Sequence, residues 1–256
     1  MEISFSPVAW AEIQPEVSRH LAALPTAIDS YFEQHIVAAR HYRVLVGGQV
    51  AGFAAIHNEQ LITQFALDDA FKRHGQAAYR ALRGLELVQA SLVPTCDEFW
   101  LASALDEHRQ LTRQAYLFSA PADLTPPPAP PGLSWRLARR EYAELVRRES
   151  GDFFAPIERT IEAGQLFIAY AGEQCAGFGI LEPSALYPDV ASIGMFTLES
   201  ARRQGVGTAT IGFLIGECRR RGLRPIAGCW YYNHRSLQTL QCAGMFARSR
   251  LLRIEH

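Results

Sequence analysis

Apolar residues in the second half of the chain follow two rhythms. Short apolar runs, bounded by glycine or charge, are separated by stretches of helical spacing. Leu133 to Leu137 reads as a strand and Glu141 to Glu149 as a helix. Leu166 to Ala171 and Cys175 to Leu181 read as a hairpin, and Ala191 to Thr197 as a further strand. A helix follows, with Val206, Thr210, Phe213 and Leu214 on one side. It ends in Arg219-Arg220-Arg221-Gly222, where arginines suit the negative end of the helix dipole and glycine the left-handed stop. Pro225 to Tyr232 reads as a strand on which Tyr231 and Tyr232 face opposite ways, with Trp230 packed inside. Asn233 caps a helix that Gly244 terminates, and a strand from Phe246 to Ile254 closes the pattern. This interleaving predicts an α/β or α+β unit, with helices packed against a sheet.

The first half carries the same landmarks. Val46-Gly47-Gly48-Gln49-Val50-Ala51-Gly52-Phe53 resembles Ala171-Gly172-Glu173-Gln174-Cys175-Ala176-Gly177-Phe178. Lys72-Arg73-His74-Gly75-Gln76-Ala77 resembles Arg202-Arg203-Gln204-Gly205-Val206-Gly207. Gly52 and Gly177 stand 125 positions apart, and Gly75 and Gly205 stand 130 apart. Two landmarks in the same order at nearly constant offset predict a tandem duplication. Between the copies lies Thr125-Pro126-Pro127-Pro128-Ala129-Pro130-Pro131-Gly132, a composition that favours a stiff, extended linker. The expected division is residues 1–120, a linker at 121–132, and 133–256.

Composition narrows the function classes. Hydrophobic residues make up 48% and charged residues 20% of the chain, ordinary for a globular protein. A net charge of −1 argues against a bulk nucleic-acid binder. The five cysteines are scattered, which fits reduced thiols in the cytoplasm and no metal site. The N-terminus shows no secretory pattern, and no apolar run approaches the ~20 residues of a membrane span. A homodimer is compatible with these totals.

The chemistry concentrates in Met195-Phe196-Thr197-Leu198-Glu199-Ser200-Ala201-Arg202-Arg203-Gln204-Gly205-Val206-Gly207-Thr208. An apolar strand runs through a basic, glycine-bearing turn into a helix. Unpaired backbone N–H groups, the helix dipole and two arginines together make an anion site, most naturally for phosphate or pyrophosphate. The chain lacks the G-x-x-x-x-G-K-[ST] loop of nucleotide triphosphatases. A dinucleotide site needs a third glycine, and Thr210 stands in its place.

Arg202-x-x-Gly205-x-Gly207 matches the [RQ]-x-x-G-x-[GA] signature of the GNAT (Gcn5-related) N-acetyltransferases. Asn233-x-x-Ser236 with Gly244-Met245-Phe246 resembles that family's N-x-x-[AS]…G-F element. The resemblance covers most of residues 133–256 and, more faintly, residues 1–120. It implies a mixed, mostly antiparallel sheet flanked by helices, the acyl-CoA N-acyltransferase fold, in two tandem copies. It implies acetyl-CoA, or another acyl-CoA, as co-substrate and a small-molecule or peptide amine as acceptor. By position, Met195, Phe196 and Thr197 would offer backbone to the pantetheine arm. Arg202, Arg203, Gln204, Gly205, Val206, Gly207 and Thr208 would surround the pyrophosphate, and Asn233 and Ser236 would flank the arm.

The catalytic groups stay open at this level. Glu182 and Asp189 are the candidate general bases, and Asp152 and Glu158 lie in an expected substrate loop. The family's tyrosine acid falls at Leu240, so Tyr231, Tyr232, Cys229 or water stands in for it. In the first copy, Asp106-x-x-Arg109 takes the place of Asn233-x-x-Ser236, and a carboxylate there would oppose the cofactor's phosphates. That copy is expected to be degenerate and to bind no cofactor. An acetyltransferase, a non-catalytic acyl-CoA-binding or regulatory module, and a structural partner domain all fit the pattern.

Overall fold

In the structure, a computed structural model describing residues 2–85 and 87–256, the chain forms two compact units. The first comprises Met1–Leu117, Ala185–Tyr187 and Arg248–His256; the second comprises Phe118–Ser184 and Pro188–Ala247.

The first unit opens with β1 (Ile3–Val8), α1 (Trp10–Ala23) and α2 (Ser30–Val37). It continues through β2 (Arg40–Val46), β3 (Gln49–His57), β4 (Leu61–Leu67), α3 (Gly75–Arg83) and β5 (Ala90–Pro94). It then adds α4 (Glu98–Leu105) and β6 (Gln110–Ser119). The second unit carries β7 (Leu133–Leu137), α5 (Ala143–Ser150), α6 (Ile157–Glu162), β8 (Leu166–Ala171) and β9 (Gln174–Pro183). β10 (Val190–Thr197), α7 (Val206–Arg220), β11 (Arg224–Trp230) and α8 (His234–Cys242) follow. The last strand, β12 (Phe246–Glu255), pairs with β5 from Leu251 onward, so residues 248–256 fold with the first unit.

Strand order is β1-β2-β3-β4-β5-β12-β6 in one unit and β11-β10-β9-β8-β7 in the other. The β1–β2, β2–β3, β3–β4, β5–β12, β7–β8, β8–β9 and β9–β10 ladders are antiparallel, and each unit has one short parallel ladder, β4–β5 and β10–β11 respectively. The duplication is visible strand by strand. A bulge interrupts β2–β3 at Val44/Leu45 and β8–β9 at Ala169/Tyr170. A Cβ on Gly52 would strike the Ala66 carbonyl, and one on Gly177 the Phe196 carbonyl. The offset grows from 125 to 130 within the turn between β9 and β10, where the extra residues include the Ala185–Tyr187 segment of the first unit. There the Ala185 N–H donates to Glu33 and the Ile28 N–H to the Tyr187 hydroxyl.

Even-numbered positions of β8, β9 and β10 pack on one face of the second sheet, against α5 and α6. That core contains Val146, Phe154, Ile157, Ile161, Leu166, Ile168, Phe178 and Ile180. The other face packs on α7, where Phe213 stacks on Trp135 at 4.9 Å and the Trp135 indole N–H donates to Thr210. Three expected elements change. Helix α5 starts with a 3-10 turn at Arg140–Tyr142, α6 occupies the expected substrate loop, and β11 stops at Trp230. Asn233 N–H closes a turn onto the Trp230 carbonyl, so Tyr231 and Tyr232 do not alternate along a strand.

The proline-rich segment packs onto the second unit instead of spanning open solvent. Arg219 donates to the carbonyls of Pro121 (3.0 Å), Ala122 (3.1 Å) and Leu124. Arg219 is therefore a clamp on the segment as well as a charge at the helix end. Pro126 lies over Gly212 and Pro130 over Gly205, where a glycine Cβ would come within 3.0 and 3.1 Å of the proline rings. Positions 205, 212 and 219 are each two helical turns apart and share one side of α7. Glycine inside a helix costs ~0.5–1 kcal/mol relative to alanine. At Gly212 that cost is offset by room for the strap; at Gly216 nothing lies within 4 Å.

Gly212→Val should therefore destabilise the protein by ~1–3 kcal/mol and expose residues 121–131 to protease. Gly216→Ala should stabilise it by ~0.5–1 kcal/mol in urea unfolding. A pH effect follows from the buried cluster in the first unit, where Ser91 Oγ lies 2.6 Å from the Tyr79 hydroxyl and 2.8 Å from His256 Nε2. Burial pushes the His256 ring down to about 4, and the nearby Arg83 and His108 charges add to it. The unfolded ring takes its proton near 6.5 and the folded ring only near 4, so stability falls as pH drops through that window. Burial lowers His41 and His57 as well. His256→Asn should flatten, without abolishing, the decline in thermal midpoint between pH 6.5 and 4.

Candidate functional site

β10 carries the site because its two edges differ. It pairs with β9 from Ala191 to Thr197, but with β11 only over Val190–Ser192. Beyond Ser192 the parallel neighbour has parted from it. Ser184 N–H donates to the Val190 carbonyl, and Leu198 N–H donates to the Ala176 carbonyl. Those bonds turn the even residues toward β9, and alternation turns the N–H and C=O groups of Ile193, Met195 and Thr197 to the open edge. This corrects one expectation: the backbone of Phe196 is spent on β9. Its ring instead packs with Phe178 (6.5 Å) and Phe153 (5.6 Å).

The strand runs into a 3-10 turn at Glu199–Ala201 and then a left-handed stretch. Arg203 has φ 61° and Gly205 φ 79°. Side chains of the turn hold it shut: Arg202 Nε donates to the Thr197 carbonyl at 3.4 Å, and the Gln204 amide donates to the Ser200 carbonyl at 2.9 Å. Arg202 also lies 3.7 Å from Glu199. No side chain caps α7, which begins at Val206 after Gly205. Its first N–H groups, on Val206, Gly207 and Thr208, are thus available to an anion. Arg203 is exposed and has no ion-pair partner among the described residues. Gly207 serves a different purpose from Gly205. A Cβ there would come within 3.1 Å of Thr197 Oγ1 and 3.2 Å of Thr239, so its absence seats the helix start against β10 and α8.

Across the opening, Asn233 Oδ1 accepts from the Ser236 N–H at 3.1 Å and caps α8. Both residues stand at the head of α8, just after β11 ends. Leu240 is 2% exposed and belongs to the core. Trp230 is 59% exposed, contrary to the packed role expected of it, and Tyr232 beside it is 48% exposed. Burial raises the Cys229 thiol, which points at the carbonyls of Trp230 and Asn233.

The two candidate bases separate. Glu182 pairs in register with Ser192 on the even face, half-buried, two positions from Gly194. Asp189 lies before β10, at its far end from the glycine turn, and binds Arg224 at 2.6 and 3.3 Å. That guanidinium holds its carboxyl below the usual carboxylate range. Asp189 is a strand-end ion pair and is not brought to the site. Glu158 is likewise engaged, by Arg147, and sits on α6.

A family model described as "Acetyltransferase (GNAT) domain" matches residues 9–120, and one described as "Acetyltransferase (GNAT) family" matches residues 133–245. The chain belongs to the GNAT acetyltransferases. It is a tandem member, and its family is one of acyltransferases that use acetyl-CoA. Solved structures share the fold at low identity. A GNAT-family acetyltransferase from Colwellia psychrerythraea is 16% identical, with TM-score 0.85 over 100% of this chain and 99% of that one. A tandem GNAT protein from the clavulanic acid biosynthesis pathway is 14% identical, with TM-score 0.61 over 100% and 98%. A GCN5-related N-acetyltransferase from Sphaerobacter thermophilus is 15% identical, with TM-score 0.63 over 99% and 95%. Comparison with curated proteins gives no match. Among the described residues no acid, histidine or cysteine cluster could hold a metal ion, and no helix is long and apolar enough to cross a membrane.

The first GNAT copy keeps the frame. β4 pairs with β5 only at Leu61 and Ile62, so it parts from its neighbour as β10 does. The position matching Asn233 is Asp97, whose carboxylate accepts from the Trp100 N–H and so caps α4. Asp106, the expected match, sits at the other end of that helix. Asp97 also pairs with His20 at 2.8 Å. Gly75 is helical, and a Cβ there would come within 2.7 Å of the Phe99 ring, which stacks on Phe65.

The left-handed Arg203 provides a test of the turn. A non-glycine residue in that region costs ~1–2 kcal/mol. Arg203→Gly should raise stability by up to about 1 kcal/mol in thermal unfolding, although it deletes a charge from the site.

Proposed function

We propose that the second unit is an acetyl-CoA-dependent N-acetyltransferase acting on a primary amine. The observation that carries this reading is the open edge of β10 running directly into the uncapped start of α7. The open N–H and C=O groups of Met195 suit the amides of a pantetheine arm, as a peptide adds to a sheet edge. The Thr197 N–H extends that edge. Backbone N–H groups of Val206, Gly207 and Thr208, with the Arg203 guanidinium, suit the pyrophosphate. Arg202 and Gln204 hold the turn, and Asn233 and Ser236 line the far side of the arm.

In the reaction the amine nitrogen forms a bond to the thioester carbonyl carbon and the carbon–sulfur bond breaks. Glu182 takes the amine proton, directly or through water, and a backbone N–H of the open edge steadies the oxyanion. A free thiol titrates near ~8.5, so the departing thiolate leaves without a strong acid. Tyr232, Tyr231 and the Cys229 thiol stand at the end of β11 to return a proton. The first copy, with Phe99 against Gly75, binds no cofactor. The reduced cysteines suit a cytoplasmic enzyme.

Titration calorimetry tests this. Acetyl-CoA should bind with one site per chain, and Gly205→Asp should weaken binding by at least about tenfold, ~1.4 kcal/mol. An intact protein that fails to bind would refute the reading. Leu240 in the core favours a second reading, an acyl-CoA-binding module without turnover. Release of free thiol with any amine rejects it.

A further inference from the structure

The proline-rich strap follows a line of missing side chains on the second unit. Pro130 lies over Gly205 and Pro126 over Gly212. A Cβ on Gly244, just past α8, would strike Leu124. Arg219 donates to the carbonyls of Pro121, Ala122 and Leu124. The spacings agree. Positions 205 and 212 are seven residues apart on a helix, ~10.5 Å at about 1.5 Å per residue. Positions 126 and 130 are four residues apart on an extended proline chain, ~12 Å at about 3.1 Å per residue. The strap therefore runs antiparallel to α7, tied by Arg219 near one end of the helix and resting on its start at the other.

The turn that it reaches is strained. Arg203 and Gly205 both have positive φ, 61° and 79°, and no side chain caps α7. The bonds that close the turn on itself, Arg202 to the Thr197 carbonyl and Gln204 to the Ser200 carbonyl, come from exposed side chains. Backbone of this kind persists only when its surroundings over-determine it. A left-handed glycine is a free joint, and the Pro130 ring covers the side of it on which a Cβ would stand. The strap is itself fixed beyond that point. Leu133 N–H donates to the Pro130 carbonyl at 3.4 Å, and Gly172 N–H, in the β8–β9 turn, to the Gly132 carbonyl at 2.9 Å.

We propose that the strap is a positioning element of the coenzyme A site. Docked, Pro130 confines Gly205 and so aims the N–H groups of Val206, Gly207 and Thr208. Released, it lets the turn relax, and fewer chains are competent for the pyrophosphate. Pro130 and Arg219 thus set cofactor affinity without taking part in the chemistry. Arg219 stands fourteen residues from Gly205, ~21 Å along the helix. Salt screens an exposed charge beyond about 10 Å, so the Arg219 charge does not act on the phosphates directly. This inference rests on the coenzyme A reading above.

The test titrates the full-length protein, Arg219→Ala and Pro130→Ala with coenzyme A by calorimetry. Amide hydrogen exchange over residues 203–208 is followed in the free proteins. Apparent affinity scales with the competent fraction, so both variants should bind at least about threefold more weakly. Exchange over residues 203–208 should quicken in both. Arg219 is exposed, so its replacement leaves the core intact. Ile161→Val, a core change on the opposite face of the sheet, should lower stability and move neither readout. Unchanged affinity in either strap variant overturns the inference. So does weaker binding without faster exchange, or an equal loss in Ile161→Val. An intact protein that binds no coenzyme A refutes the underlying reading, whereas intact binding with unaltered strap variants overturns this inference alone.

Discussion

The parting of β10 from β11 after Ser192 is the constraint on which the second unit is organised. A strand edge without a partner leaves backbone donors and acceptors that water or a ligand must satisfy. β10 remains rigid there because its other edge is bonded to β9 without a break through Thr197. The open groups are therefore held in fixed alternation, Met195 and Thr197 outward and Phe196 inward. The same alternation sends the odd side chains to α7 and the even ones to the aromatic face. One backbone geometry thus separates the side chains that meet α7 from those that meet α5 and α6.

The start of α7 must then sit close to the end of β10, and glycine makes that possible. Gly207 lets the helix touch Thr197 and Thr239, while Gly205 takes the left-handed turn that aims the first N–H groups. Gly212 belongs to the same helix but answers to the strap, since Pro126 rests where its side chain would be. Pro130 at Gly205 links the two demands, because the strap ends on the residue that begins the helix. A stiff, extended segment suits this role: its conformation is largely set before it packs, so docking costs little entropy.

Local signals were legible and long-range ones were not. The glycine turn, the Asn233 cap, the Gly222 stop and the repeat depend on residues near one another in sequence, and the chain displays them openly. The partnership of β12 with β5 joins positions far apart, and no local pattern marks it. The match of Asp97 to Asn233 was hidden for a related reason. Spacing favoured Asp106, but helix capping selects the residue before the first turn, and α4 begins at Glu98. Trp230 was misjudged because a central strand implies burial, and that inference fails once the neighbouring strand has parted. The open proline run revealed stiffness, whereas its docking depended on a glycine two turns into α7.

The two copies share one frame and differ at one turn. Both have a parting strand, a bulged hairpin and a carboxylate or amide cap on the helix beyond. The difference is local. Gly75 has entered the helix and is covered by Phe99, while Gly205 stays left-handed with α7 uncapped. A parted strand alone is therefore a property of the frame and can be filled by the protein's own rings, as Phe65, Tyr79 and Phe99 fill the first copy. The exposed turn is what distinguishes the second copy. Leu240 fits this view: it is a core residue of α8, and the open edge of β10 and the glycine turn are formed by backbone that does not depend on the side chain at that position.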